Sequence, residues 1–86
     1  MPSIPDRTEI LERLRRVVPD KVDVDPARLV PDARLADIGV DSFALIELVF
    51  LAEEEFNIKI PLEGLTVKTV SDVLDVIGER LAVAAT

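Results

Sequence analysis

The chain has 86 residues, with 10 basic against 17 acidic side chains, and it contains no Cys, His, Trp or Tyr. This length fits a single domain spanning residues 1–86, for which we expect a core over about residues 6–80 and short flexible tails. The missing Cys and His exclude zinc fingers, Cys or His nucleophiles and Ser–His pairs. The net charge of −7 argues against nucleic acid and anionic membranes as partners.

The charge is distributed unevenly along the sequence. Residues 1–34 hold seven bases and seven acids, whereas residues 35–86 hold ten acids and three bases, so the whole excess lies in the second part. Such a field speeds the encounter with partners of opposite sign, although it also serves solubility. The N-terminal residues lack a basic leader ahead of an apolar stretch. The longest apolar run, residues 48–52, is far below the roughly 20 residues of a membrane helix, so we predict a cytoplasmic protein.

The first predicted helix begins near Asp6, which has Glu9 three positions later in the pattern of a capping box; Ser3 is an alternative cap. Apolar residues then recur at helical spacing as far as Pro19, whose ring removes a backbone donor and should end the helix. The connection that follows, residues 20–41, is too long for an empty loop in a small domain. We expect it to be pinned to the core by its apolar residues, with one helical turn at residues 26–29.

The second predicted helix covers residues 42–56, which contain no Gly or Pro, and either Asp41 or Ser42 is its cap. A short helix is expected between Pro61 and Gly64, and a last helix follows a Thr69 cap. We reject a strand at residues 57–60 because it would be short and isolated. The sequence thus predicts an all-α four-helix bundle, with three main helices, one short helix and a long loop after the first helix.

The second predicted helix carries aromatic residues on its charged side. Phe43, Glu47, Phe50 and Glu54 recur at helical spacing, so they share one face. The opposite side supplies the core through Leu45, Ile46, Leu48, Val49, Ala52 and Phe56. Exposed aromatic residues among carboxylates are typical of a protein interface. The alternative is that the long loop folds over this face and buries both rings.

The segment LADIGVDSFALIEL is the most informative part of the chain. Gly39 permits a tight turn just before the second helix, and Asp41 and Ser42 then stand at its N-terminus. Unpaired N–H groups and the helix dipole favour negative charge there, so a phosphate esterified to Ser42 would be stabilised. Taken alone, however, an Asp–Ser pair at a helix start is an ordinary cap.

The sequence resembles the acyl carrier proteins through LADIGVDS, ELV at residues 47–49, EEEFNIKIP at residues 53–61 and the later Thr69–Val70. The resemblance implies that a phosphopantetheinyl transferase moves 4′-phosphopantetheine from coenzyme A onto Ser42, with Asp41 as a flanking recognition residue. It implies a non-catalytic, monomeric carrier without a metal, which holds acyl groups as thioesters. Its partners would be acyltransferases, ketosynthases and acyl or aminoacyl ligases with basic docking surfaces. The partner-binding residues carried over by position are Val40, Phe43, Glu47, Phe50, Glu53, Glu54 and Glu63.

The chain departs from the family pattern along the docking helix. Phe43 stands where Leu is usual, Ala44 where an acid is frequent in fatty-acid carriers, and Phe50 where Met is common. These changes make the face more apolar, which favours a dedicated carrier of polyketide or other specialised biosynthesis. The chain length favours a free-standing protein as an expectation. The alternatives are an aminoacyl or peptidyl carrier of a nonribosomal or hybrid pathway, and a housekeeping fatty-acid carrier. From other classes, we considered an unmodified acidic protein-binding module and, last, an enzyme using Asp or Glu pairs.

Overall fold

The computed structural model describes residues 5–84, and its regular structure is helical. The three α-helices are α1 (Arg7–Lys21), α2 (Ser42–Phe56) and α3 (Val70–Ala84). Two short 3-10 helices, Pro26–Arg28 and Leu35–Ile38, lie in the connection between α1 and α2. Over the described range there is no strand, only one isolated bridge between residues 34 and 69. The predicted all-α fold class is confirmed, as is the helical turn that begins at residue 26.

Helix α1 begins where the sequence indicates and ends later than expected. Asp6 is its N-cap, and its Oδ1 accepts a hydrogen bond of 2.9 Å from the N–H of Glu9. The alternative cap, Ser3, lies outside the described residues. The prediction that Pro19 ends the helix is wrong, because the N–H of Val22 donates to the carbonyl of Val18 at 2.8 Å and closes the last turn around the ring. A proline this near the end removes only its own N–H from the helix.

The core is apolar throughout and draws on the connection as well as on the helices. The described chain buries no polar or charged residue. The buried residues of the connection are Val22, Val24, Leu29, Leu35, Ile38 and Val40, which confirms that this segment is pinned to the core. The helices contribute Ile10, Leu11, Leu14, Val18, Leu48, Val49, Ala52, Phe56, Val70, Val73, Leu74 and Ile77. Burying such side chains supplies the main favourable free energy of folding.

The short helix predicted between Pro61 and Gly64 is a turn instead. Its one backbone hydrogen bond runs from the N–H of Leu65 to the carbonyl of Leu62, at 3.1 Å, and Gly64 has a φ of 75°. One hydrogen bond does not offset the cost of nucleating a helix over four residues. The chain after the turn has no helix before residue 70, and it pairs with residues 33–35 of the connection between α1 and α2.

The last helix continues to Ala84, four residues past the expected end of the core at about residue 80. The outermost parts of the predicted tails, residues 1–4 and 85–86, lie outside the described residues. No helix in the described part of the chain has the length and apolar character needed to cross a membrane.

Two arginines of α1 form polar contacts with the other two helices. Arg13 donates from Nε to Oε2 of Glu55 at 2.9 Å and from Nη2 to the Glu55 carbonyl at 2.8 Å. Its guanidinium also stacks on the ring of Phe56, 4.3 Å from the centroid. Arg7 forms an ion pair with Asp75 on α3. These contacts join the C-terminal end of α2 and the middle of α3 to α1.

Candidate functional site

The turn before α2 is built around a glycine with left-handed backbone. The 3-10 helix Leu35–Ile38 ends at Gly39, which has a φ of 86°. The N–H of Val40 then donates to the carbonyl of Leu35 at 2.9 Å and reverses the chain. A Cβ at residue 39 would meet only a carbonyl 3.9 Å away, so the backbone angle, not lack of space, favours glycine here. The turn directs the chain into the first residues of α2.

Asp41 and Ser42, at the start of α2, have different roles. Asp41 is the N-cap, and its Oδ1 accepts a hydrogen bond from the N–H of Ala44 at 2.8 Å. Ser42 is therefore the first helical residue and is not needed as a cap. It is exposed, and its hydroxyl has no hydrogen-bond partner among residues 5–84. The hydroxyl is open to chemical modification at a helix end that favours negative charge.

The glutamates of α2 fall into two groups according to their contacts. Glu53 accepts the N–H of Ile60 at 2.7 Å, and Glu55 pairs with Arg13, so both stabilise the fold. Glu54 is exposed and Glu47 half-buried, and neither forms an ion pair within the described part of the chain. Glu47 and Glu54 are thus the carboxylates of this helix that remain available to a partner.

Three apolar side chains stand exposed on the same side of α2. Phe43 is 71% exposed, Phe50 is 52% exposed and Ile46 is 40% exposed, so the long connection does not cover this face. The placement of Ile46 on the core side is wrong. It lies three residues after Phe43 and four before Phe50, which puts it on the face of the rings. That spacing was visible in the sequence and could have identified it. We call Phe43, Ile46 and Phe50 together with Glu47 and Glu54 the docking face.

Two other predicted partner-binding residues lie away from the docking face. Val40 is buried, at 5% exposure, and packs in the core, so it has little surface to offer a partner. Glu63 is exposed in the turn that precedes α3. The turn and α2 are separate elements, so Glu63 is not on the face of the two rings.

An open groove of about 470 Å³ begins at the exposed serine. Its lining is Arg34, Leu35, Ala36, Val40, Asp41, Ser42, Leu45, Val67 and Lys68. A second, apolar space, between α2 and α3, measures only about 10 Å³ and is lined by residues such as Leu48, Val49 and Ile77. The groove, which we call the serine groove, is therefore the room available beside Ser42.

A reciprocal cap fixes the far side of the serine groove. Asp72 accepts the N–H groups of Lys68 at 2.9 Å and Thr69 at 3.1 Å, and the Thr69 hydroxyl accepts the N–H of Asp72 at 3.1 Å. The predicted Thr69 cap is confirmed. The N–H of Lys68, followed by that of Thr69, holds the pKa of Asp72 below its usual value, because both bonds favour the charged carboxylate.

The sequence of this chain is similar to a known protein family and to several known proteins. Residues 12–77 match the protein family described as phosphopantetheine attachment site. An acyl carrier protein of Thermosynechococcus vestitus is 43% identical over 79 residues, which cover 90% of this chain and 98% of the relative. The acyl carrier protein of Phenylobacterium zucineum is 40% identical, over 86% of this chain and 96% of the relative. That of Caulobacter vibrioides is 39% identical, over 87% of this chain and 99% of the relative. The matched range contains the whole of α2.

Proposed function

The chain belongs to the acyl carrier protein family, whose phosphopantetheine-binding domain implies a covalently attached 4′-phosphopantetheine, and on that premise we propose that Ser42 is the attachment residue. The observation that carries the proposal is the exposed Ser42 hydroxyl, which has no partner in the described chain because Asp41 caps the helix. The helix N-terminus favours the negative phosphate, and the serine groove leaves room beside it. The arm supplies a thiol that carries acyl groups as thioesters.

The residues of the site fit a substrate of another enzyme better than a catalyst. The Ser42 oxygen attacks the pantetheine-bearing phosphorus of the coenzyme A pyrophosphate, the pyrophosphate P–O bond breaks, and adenosine 3′,5′-bisphosphate leaves. A base must take up the proton that the Ser42 hydroxyl loses. The chain has no His or Cys, and the carboxylate of Asp41 is occupied by the N–H of Ala44. We therefore assign the proton acceptor to the phosphopantetheinyl transferase and propose that this protein is a non-catalytic carrier. We further propose that residues 1–86 form one domain and that the carrier is monomeric and cytoplasmic.

We further propose that the docking face receives the partner enzymes. Its two carboxylates, Glu47 and Glu54, complement a basic surface, and its exposed rings provide the apolar contact that commonly dominates binding energy. Acyltransferases, ketosynthases and acyl or aminoacyl ligases are the partner classes. Glu53 takes no direct part, because its carboxylate holds the loop at Ile60.

The apolar character of the docking face supports a carrier of polyketide or other specialised biosynthesis. The docking face has an exposed apolar stripe formed by Phe43, Ile46 and Phe50. A partner surface with basic side chains alone would make no apolar contacts with this stripe. Aminoacyl or fatty-acid cargo are the competing outcomes. Transfer rates from malonyl, aminoacyl and fatty-acyl donors by their respective loading enzymes would separate the three. Substitution of Phe50 by Ala should reduce the rate of transfer by the cognate loading enzyme and leave the rates with the other two enzymes unchanged.

The attachment proposal is tested by intact mass measurement. The purified chain is incubated with coenzyme A and a transferase of broad specificity, together with Ser42→Ala and Ser71→Ala variants. We expect one arm on the wild type and on Ser71→Ala, and none on Ser42→Ala. An unmodified wild type would favour the protein-binding module, and an arm on Ser42→Ala would refute the assignment.

A further inference from the structure

Two cations border the serine groove on its side away from α2. Arg34 and Lys68 line the same groove as Ser42, and both are exposed. We propose that Arg34 and Lys68 bind the phosphodiester of the arm on Ser42 and hold the first part of the arm in the groove. This inference rests on the proposed attachment at Ser42.

The backbone brings these two residues close together although 34 positions separate them in sequence. Arg34 is paired opposite Thr69 and Lys68 opposite Leu35, so the two cations are diagonal neighbours in the pairing. The N–H of Leu35 donates to the carbonyl of Lys68 at 2.9 Å, and the N–H of Val70 donates to the carbonyl of Ala33 at 2.9 Å. Arg34 itself forms the isolated bridge with Thr69. Because these bonds use backbone atoms only, the two charged side chains are fixed at their bases and free at their ends.

Neither cation is already committed to an oxygen of the protein. Five other arginines donate to a carboxylate or a carbonyl: Arg7, Arg13, Arg15, Arg28 and Arg80. By contrast, the side chains of Arg34 and Lys68 make no hydrogen bond or ion pair within residues 5–84. An exposed guanidinium without a partner suits a phosphate well, since its planar donors match two phosphate oxygens.

The charge of the serine groove is opposite to that of the whole chain. Its lining has two cations against the one carboxylate of Asp41, a difference of +1, whereas the chain carries −7. That carboxylate accepts the N–H of Ala44. A phosphodiester on the next residue adds a second negative charge at the same helix end, and cations across the groove offset the repulsion. Asp72 does not line the groove, but its carboxylate, which accepts two backbone N–H groups, also interacts with the charge of Lys68. Arg34 is therefore the less compensated of the two cations.

The phosphodiester fits these cations better than an acidic group on the cargo does. It is bonded directly to the oxygen of Ser42, which lines the groove, whereas cargo is attached at the far end of the arm. The phosphodiester also stays singly charged whichever cargo the arm carries. The phosphodiester is therefore present beside the groove with every cargo, and the effect of the cations should not depend on the cargo.

The test compares amide chemical shifts of the protein before and after the arm is attached. Uniformly ¹⁵N-labelled wild type and an Arg34→Gln/Lys68→Gln variant are modified with coenzyme A, and intact mass confirms the modification of each. A matched variant, Arg16→Gln/Lys59→Gln, also loses two exposed cations but leaves the groove lining intact. Ser42→Ala mixed with coenzyme A reports any binding of the free cofactor.

We expect arm attachment to shift the amides of Ala36, Val67 and Lys68 in the wild type and the matched variant. In the groove variant these shift changes should fall to less than half, although the arm is still attached. Salt of about 1 M, which screens charges beyond about 3 Å, should reduce the wild-type changes in the same way. Apo spectra of both variants verify that they fold.

Four results would overturn the proposal. The first is a modified wild type whose groove amides do not shift; the second is a groove variant with wild-type shift changes. The third is a change that appears only after malonyl loading and not after acetyl loading, which would assign the anion to the cargo. If Ser42→Ala with coenzyme A reproduces the shifts, free cofactor is bound instead of the arm. Failure of attachment itself, seen by mass, would refute the proposed function separately.

Discussion

Replacing Asp41 by Ala should destabilise the protein through the start of α2. The substitution removes the carboxylate that accepts the N–H of Ala44 at 2.8 Å, and the serine beside it makes no compensating bond in the described structure. Loss of an N-cap costs about 1 kcal/mol, within a range of about 0.5–2 kcal/mol. For a domain of this size, about 1 kcal/mol corresponds to a fall in melting temperature of about 4–8 °C.

Asp41→Asn is the matched control for this prediction. Asn caps a helix as well as Asp does, so only the favourable charge at the helix end is lost, at about 0.3–1 kcal/mol. Thermal unfolding followed by circular dichroism at pH 7 should therefore rank the wild type above Asp41→Asn, and Asp41→Asn above Asp41→Ala. Equal melting temperatures for wild type and Asp41→Ala would refute the capping role. Because Asp41→Asn stays folded, its rate of arm attachment also shows whether the transferase recognises the charge.

Other substitutions test the docking face and the contacts between helices. Charge reversal in Glu54→Lys should slow acyl transfer by a basic partner, more at low salt than at high salt; Glu79→Lys on α3, also exposed, should change the rate less. Arg13→Ala should lower the free energy of unfolding in urea by about 1–2 kcal/mol, since an ion pair, a carbonyl bond and a ring contact are lost together. Arg16→Ala, at an exposed site without such contacts, should cost less than about 0.5 kcal/mol. The lowered pKa of Asp72 means that its charged form stabilises the fold above the ordinary carboxyl pKa and that this contribution is lost as pH falls through the folded-state value. Asp72→Asn should therefore reduce the urea midpoint at pH 7, and the difference from wild type should shrink towards pH 2.

Local patterns in the sequence were sufficient to predict the three main helices and the N-caps of α1 and α3. The Asp6 cap of α1 and the Thr69 cap of α3 are each set by residues within one helical turn, so the sequence contains the whole interaction. The apolar residues of the long connection likewise predicted its burial. The exposure of Phe43 and Phe50 followed from the period of α2, which leaves both rings opposite the core.

The features that the sequence did not predict depend on contacts between distant segments. The segment between Gly64 and α3 is held against the connection because residues 33–35 bond to residues 68–70, and no local pattern encodes that pairing. The same pairing brings Arg34 beside Lys68 and so creates the cationic side of the serine groove. Helix α1 passes Pro19 because the last turn closes through Val22, which the core holds in place. In each case, contacts between distant segments determined which local conformation the chain adopts.

Mass spectrometry of the protein purified from its native host tests the central proposal most directly. The chain has three serines, at positions 3, 42 and 71, and peptide fragmentation distinguishes them. We predict 4′-phosphopantetheine on the peptide that contains Ser42, with an acyl group on its thiol in a fraction of the molecules. A chain whose Ser42 is bare during active biosynthesis, or whose arm is on another residue, would contradict the proposed function.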